Sequence, residues 1–355
     1  MRALWIDDWD GPLRLGERPD PEPGPHEVLI EVEACAIGLT VLNCIRGDLG
    51  SDPADLPRVP GHELVGRIAG VGAGVEPSRL GERVAAYFYL FCGRCERCLA
   101  AEEPLCLNLG GYVGVSRDGG YAERATLPER NAIPIPEGID PVAAAAIPDA
   151  IATPVHVAHR ARIALGERVA VIAAGGGLGV HMVQAARLCG GEVVGLESDQ
   201  GKRGFLDREL GVEAIDSTEF AAARLPATWA GADVIVDFLG SRASLEWAQA
   251  ALAPNGRLVV LTTFPGVDFR ADPRTLVFRE GQVLGSRYAS RQELMLAARL
   301  VERGQIRPIV SKSVGPEEVE RVHDSLRAGV LLGRGCLRWA PGTQGRLDAR
   351  PAGGT

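Results

Sequence analysis

The stretch VAVIAAGGGLGVHMVQAARL, Val169 to Leu188, decides the fold. An apolar run with strand character enters Gly175, Gly176, Gly177, Leu178 and Gly179, then continues into a segment whose apolar residues recur at helical spacing. Glycines between a strand and a helix let the backbone approach a pyrophosphate, and the free N–H groups at the helix start, assisted by the helix dipole, point at it. The next strand, EVVGLE, ends in Glu197, where an acid hydrogen-bonds adenosine ribose hydroxyls and repels a 2′-phosphate. NAD(H) is therefore preferred over NADP(H). A glycine run alone is equally an ordinary tight turn. Strand, helix, second strand and terminal acid in this order favour the dinucleotide.

Downstream, ADVIVDFLG, RLVVLTT and QVLGS repeat the strand signal between helical segments, which indicates a parallel sheet covered on both faces. From RQELMLAARLVERGQ the chain reads as helix, strand, helix and a last strand, and the tail APGTQGRLDARPAGGT lacks apolar periodicity. Upstream of about residue 155 the character differs. Strand-like runs such as EVLIEVEACAI, LVGRIAGVG and ERVAAYFYL are separated by Pro and Gly clusters, as in a mainly antiparallel β domain. With 355 residues, 46% of them hydrophobic, the chain is long enough for two cores. The net charge of -8 leaves no basic surface for nucleic acid or an anionic membrane, so a small molecule is the expected partner. The N-terminus has acids where a signal peptide needs an apolar core, and no apolar run approaches a membrane span, so a cytoplasmic location is expected.

Two further motifs carry chemistry. FCGRCERCLAAEEPLC, residues 91 to 106, holds Cys92, Cys95, Cys98 and Cys106 at C-x2-C-x2-C-x7-C spacing; in a reducing compartment such a cluster is a metal site before it is a set of disulfides. VPGHELVGRIAGVG, residues 59 to 72, places His62 and Glu63 side by side behind Pro-Gly.

With these three motifs in this order, over roughly Met1 to Trp339, the chain resembles the zinc alcohol dehydrogenase branch of the medium-chain dehydrogenase/reductase family. The resemblance implies an α/β chain: a GroES-like, mainly β catalytic domain over 1–154 with a zinc lobe at 91–107, a Rossmann doubly wound parallel-sheet domain over 155–290 and a return to the catalytic domain over 291–340; the lack of apolar periodicity makes 341–355 a disordered tail. It implies hydride transfer between a nicotinamide and a small alcohol or carbonyl compound, or an activated C=C bond in some branches, in the cleft between the domains. Cys92, Cys95, Cys98 and Cys106 fall on the family's structural zinc ligands, a closed site with no position for substrate. Thr153 and Lys202 match positions touching the nicotinamide and the adenosine ribose. A homodimer or homotetramer is implied as well.

The catalytic zinc is where the chain departs from its relatives. In ACAIGLTVLN, residues 34 to 43, Gly38 stands at the family's cysteine ligand and Val41 at the aspartate that orients the zinc-bound histidine; Thr40 matches the hydroxyl relay. Asp149, in AAAAIPDAIATPVH, falls at the third ligand position. The candidate catalytic set is Thr40, His62, Glu63 and Asp149. His62 is read either as a ligand of a marginal zinc with Asp149 and Glu63, or as a histidine held by these carboxylates in a metal-free cleft, so the catalytic zinc is in doubt. Cys44 is an alternative ligand or a packed apolar residue. Without a metal, Thr40 and protonated His62 supply the oxyanion donors, which suits an enolate more than an alkoxide. Three functions follow: an alcohol dehydrogenase or carbonyl reductase, a zinc-independent reductase of enone or enoyl C=C bonds, and a dinucleotide-binding sensor without catalysis. Cys35 matches the first, non-ligand cysteine of the family pattern; Cys189 and Cys336 are read as buried small residues, His181, His156 and His159 as packing or solvent-facing residues. Tyr87 and Tyr89 are candidates to line the cleft, and Arg287 to reach the cofactor or a neighbouring subunit.

Overall fold

The computed structural model describes residues 1–261 and 266–339. The tail expected to be disordered, and the last two residues of RLVVLTT, lie outside the described residues.

The chain begins with a hairpin, β1 (Arg2–Trp5) and β2 (Arg14–Glu17), followed by β3 (Glu27–Ile37), α1 (Leu39–Arg46), β4 (Glu63–Val71) and β5 (Arg83–Ala86). Helix α2 (Glu96–Leu99) lies in the cysteine lobe, and β6 (Arg124–Pro128), β7 (Ala132–Pro134), α3 (Pro141–Ala145), a π-helical turn over Ile147–Ile151 and α4 (Ala152–Ala161) complete the first half. In β3 the buried residues alternate through Val28, Ile30 and Val32 and then run unbroken from Ala34 to Ile37. The first part of the strand thus has a wet face, whereas the last part is covered on both faces.

From β8 (Arg168–Ile172) the chain alternates: α5 (Gly179–Leu188), β9 (Glu192–Glu197), α6 (Gln200–Leu210), β10 (Glu213–Asp216), β11 (Ala232–Asp237), α7 (Arg242–Ala251), β12 (Leu252–Val260), α8 (Pro273–Arg279) and β13 (Gln282–Gly285). These six strands are all parallel, in the order β10-β9-β8-β11-β12-β13. Counted from β8, that is 3-2-1-4-5-6, the doubly wound order whose switch point lies between the first and fourth strands. Alternate residues feed two cores, Val169, Val171, Val234 and Val236 on one face and Ala170, Ile172 and Ile235 on the other.

The chain then returns through α9 (Arg291–Glu302), β14 (Val310–Val314), α10 (Val319–Arg327) and β15 (Arg334–Arg338). The sheet of the first half runs β14-β15-β3-β4-β5-β7, with β6 also paired to β3. Both β4 and β15 are antiparallel to β3, with Ala36 opposite Glu63 and Ile37 opposite Gly335. The point where β3 ends is therefore where β4 and β15 begin. That register gathers Gly38, His62, Glu63 and Arg334 from three distant parts of the chain.

Candidate active site

His62 enters β4 behind Gly61, whose φ of +97° is the left-handed region that glycine adopts without strain. A side chain there would also press on Tyr121 and Cys35. The turn delivers the His62 ring, 1% exposed, against Phe88 with ring centroids 4.5 Å apart. His62 Nε2 lies 3.3 Å from Asp149 Oδ2 and 3.7 Å from Glu63 Oε1. Asp149 comes from the π-helical turn, and its other oxygen accepts a 2.5 Å bond from the Thr153 hydroxyl on α4. Three of the predicted residues, Thr153, Asp149 and His62, thus form one hydrogen-bonded line.

Arg334, absent from the candidates drawn from the sequence, completes the cluster. Its Nη2 is 3.0 Å from Glu63 Oε1 and 3.3 Å from Asp149 Oδ2, and its Nε is 3.3 Å from Glu63 Oε2. The Nη2 contact to Glu63 Oε1 is an ion pair off the hydrogen-bond direction, since Oε1 has no hydrogen-bond partner. Burial by itself raises the Asp149 carboxyl, but the His62 hydrogen bond and the Arg334 charge outweigh it and bring it down to about 2. At Glu63 burial wins over Arg334 and the carboxyl is pushed up. His62 Nδ1 is buried without a partner.

The guanidinium also closes on the glycine loop: a Cβ at Gly177 would lie 2.8 Å from Arg334 Cζ. Gly333 N–H bonds the Gly175 carbonyl at 3.0 Å. His181 ties the same loop from below, with Nδ1 donating to Gly177 O at 2.8 Å and Nε2 accepting from Ile309 N–H at 2.9 Å. Burial lowers its ring to about 4, so this bridge is a neutral imidazole. The carboxylate of Glu197 accepts from Gly175 N–H at 3.0 Å and from the amides of Ser198 and Asp199. Loop and acid are one rigid unit. Lys202 packs on Gly175 and donates to Gly329 O at 2.6 Å, bringing α6 to the segment before β15.

An aromatic wall flanks His62. The Phe88 and Tyr89 rings each lie within 6.0 Å of those of Tyr112 and Tyr288 and 5.2 Å from each other, centre to centre, with Tyr89 stacked on Tyr288 at 14°. Tyr288 holds its ring there from a left-handed backbone, φ +54°. Arg287 donates to the hydroxyls of Tyr89 and Tyr112 at 3.1 and 2.7 Å, so its partner lies in this wall. Tyr89 packs on Phe88, the ring that covers His62, whereas the Tyr87 hydroxyl is turned to Ala289 O at 2.7 Å.

In the lobe the four sulfurs sit at 3.5 Å (Cys95 to Cys98) and 3.9 Å (Cys92 to Cys98, Cys95 to Cys106). A tetrahedral ion with Zn–S of about 2.3 Å sets its sulfurs about 3.8 Å apart, so the lobe has the dimensions of a tetrathiolate site. Backbone amides of Arg94 and Cys95 lower the Cys92 thiol to about 6, favouring the thiolate a metal requires. Burial and the Cys95 sulfur push Cys98 up to about 12, a conflict that a shared cation removes.

Residues 24–137 match the alcohol dehydrogenase GroES-like domain, and residues 177–303 the zinc-binding dehydrogenase domain. An alcohol dehydrogenase of Geobacillus stearothermophilus is 32% identical over 345 residues, covering 95% of this chain and 99% of its own. The chain belongs to the zinc-type alcohol dehydrogenase branch of the medium-chain dehydrogenase/reductase family. The structure of a thermostable alcohol dehydrogenase from Pyrobaculum aerophilum superposes with a TM-score of 0.86 at 30% identity, covering 96% of this chain and 99% of that one. An acryloyl-coenzyme A reductase of Sulfurisphaera tokodaii is 25% identical over 94% of this chain and 99% of its own. The fold is accordingly the GroES-like and Rossmann pair of this family, and the chain is an oxidoreductase of the medium-chain type.

The family's second zinc requires ligands in the cleft. The ligand atoms of His62, Glu63 and Asp149 lie within 4.8 Å of one another, close enough for three ligands of one ion. They do not fit it, because Arg334 Nη2 already stands on Glu63 Oε1 and Asp149 Oδ2, the carboxylate oxygens that face His62 Nε2. A dication there would share its oxygens with a buried guanidinium of the same sign. Cys44 supplies no substitute: it is 1% exposed within α1, its thiol pushed up by burial, and it belongs to neither metal-capable cluster among the described residues. Thr40, in the first turn of α1, is half-exposed and makes no side-chain hydrogen bond to His62, Glu63 or Asp149 among the described residues. His156 and His159 lie on one face of α4 as expected, where both clasp Glu293 of α9, at 2.9 and 3.1 Å. Arg334 left one trace in the sequence, an arginine opening the strand RGCLR, and nothing local marks it as part of this site.

Proposed function

We propose that the chain interconverts a small alcohol and its carbonyl compound with NAD(H), in the cleft between residues 1–154 with 291–339 on one side and 155–290 on the other. The observation that carries this reading is one side chain. Arg334 touches both the glycine loop at Gly177 and the polar cluster at Glu63 and Asp149, so the dinucleotide seat and the proton-handling residues face one space. The nicotinamide supplies or accepts the hydride when bound. Gly175, Gly176, Gly177, Leu178 and Gly179 seat the pyrophosphate at the start of α5, and Glu197 faces the adenosine ribose, which favours NAD(H) over its 2′-phosphate. Thr153 and Asp149 hold His62, whose ring would take up the substrate hydroxyl proton at its unpartnered Nδ1, while Asp149, held low, stays ionised and balances the imidazolium. Arg334 keeps a positive charge beside the developing oxyanion. Phe88, Tyr89, Tyr112 and Tyr288 select an apolar substrate. Zinc in the lobe orders a polar loop and takes no part in the reaction. A homodimer or homotetramer is the assembly proposed, as in the family pattern.

A second reading, reduction of an enone or enoyl C=C bond, is favoured by the same guanidinium, since hydride addition at the β carbon leaves an enolate whose spread charge needs less than a dication to hold it. The test gives the purified chain NAD+ with aliphatic and aromatic alcohols, and NADH with the matching ketones and enones. Turnover of alcohols and ketones is expected. Turnover of enones alone rejects the first reading, and no turnover of any of them with either cofactor rejects both.

A further inference from the structure

Gly38 caps the start of α1 with φ -132° and ψ 177°, extended backbone that any residue adopts. Its lack of a side chain serves space, not backbone freedom. A Cβ there would come within 2.6 Å of Arg334 Cζ and overlap Nη1. The guanidinium lies in the volume that a residue at position 38 would otherwise occupy, and from there it reaches Glu63 and Asp149. It is 6% exposed, and its two acidic partners come from β4 and from the turn before α4. Gly177, which must also be bare, leaves the same room from the opposite side: a Cβ there would lie 2.8 Å from Cζ. Two glycines from separate segments thus frame one guanidinium.

We propose that Arg334 is the cleft's resident cation, standing in place of a divalent metal ion, and that the two exchange roles through position 38. The pocket charge is set by two carboxylates, Glu63 and Asp149, which need a cation to remain buried. The chain supplies it covalently. A guanidinium is planar, permanently charged and forked, so Nη2 and Nε together span Glu63 Oε1, Glu63 Oε2 and Asp149 Oδ2, whereas a small ion would have to draw three ligands inward. With Arg334 in position the cleft excludes metal; with it removed, and a thiol at position 38, His62, Asp149 and that thiol become an ordinary three-ligand zinc site with one open position. The inference is independent of which substrate is turned over.

The experiment measures metal per chain on the intact purified protein by mass spectrometry, after dialysis against zinc, with and without NADH, for wild type, Cys98→Ser and the double variant Gly38→Cys, Arg334→Met. Cobalt exchange distinguishes the sites, because a tetrathiolate and a mixed nitrogen, oxygen and sulfur site absorb differently. Wild type is expected to hold one ion, lost in Cys98→Ser, with a tetrathiolate spectrum alone. The double variant is expected to gain a second ion and a second cobalt spectrum. Two ions in wild type, in either the presence or the absence of NADH, overturn the proposal, as does a single ion that survives Cys98→Ser. A folded double variant that gains no ion overturns the claim that Arg334 is what excludes metal. Where Cys98→Ser does not fold, the wild-type cobalt spectrum decides alone: any band beyond the tetrathiolate set counts against.

Discussion

The cysteine lobe and the cleft are both clusters whose ligand atoms lie close enough for one metal ion, and they are built in opposite ways. The lobe draws four sulfurs from the stretch of residues 91 to 106 on a half-exposed loop, and no cationic side chain bonds to them among the described residues. The cleft draws a histidine, two carboxylates and an arginine from separate strands and a helical turn, all buried, and closes its charge balance internally. Proximity of ligands is therefore not enough to define a metal site. What matters is whether the chain has already provided the counter-charge.

The largest effect that could break this contrast is on turnover. Replacing His62 by Gln removes the end of the proton line, and kcat/KM is expected to fall roughly 10²–10⁴-fold, the usual weight of a general acid or base. A variant that loses less than about tenfold, judged against that range, would remove His62 from the chemistry. Next is stability. Arg334→Met leaves two buried acids without their cation and is expected to cost about 3–5 kcal/mol in denaturant unfolding. Added zinc should recover part of this loss in the variant and none in wild type; equal zinc effects on both would mean that the cation does not hold the place of a metal.

A smaller effect sharpens the electrostatic side. Asp149 is lowered from 3.8 to about 2, so its contribution to stability is complete above pH 3.8 and is lost as pH falls toward 2. The shift corresponds to about 2 kcal/mol. Glu63 is raised and acts with the opposite sign, its burial penalty easing on protonation. The stability difference between wild type and Asp149→Asn, followed from pH 5 to 2, isolates the first effect and should shrink through that window; a constant difference would show that the carboxylate is not held by charge. Smallest of all should be the effect of stripping the lobe. A chelator that removes its ion is expected to lower the melting temperature while kcat/KM at a temperature below melting changes by no more than about a factor of two, because a closed site offers no position to substrate. Abolished turnover on chelation would erase the distinction between the two regions.

The same contrast governs what a single sequence discloses. The glycine loop, Glu197 and the four cysteines are read from local spacing, since each motif is one short segment acting as a unit, and the structure brings each of these segments together. The absence of a thiol at position 38 is equally visible. What replaced it is not: Glu63 and Arg334 lie 271 positions apart and meet only through the register of β4 and β15 on β3. Tyr288 escaped for a related reason, because its ring joins Tyr89 and Phe88 across 199 and 200 positions from a backbone conformation that no pattern of hydrophobicity announces. The pairing of His156 and His159 with Glu293 was half legible, the shared helix face being local and the acid remote.

The bond from Gly333 N–H to the Gly175 carbonyl sets the residue before Arg334 on the nucleotide loop itself. A dinucleotide that displaces the loop also displaces the charge at the reaction centre, so occupancy of one end and affinity at the other are thermodynamically linked and reciprocal. Such a linkage makes binding cooperative in both directions: whichever molecule enters first resets the electrostatic field that greets the second.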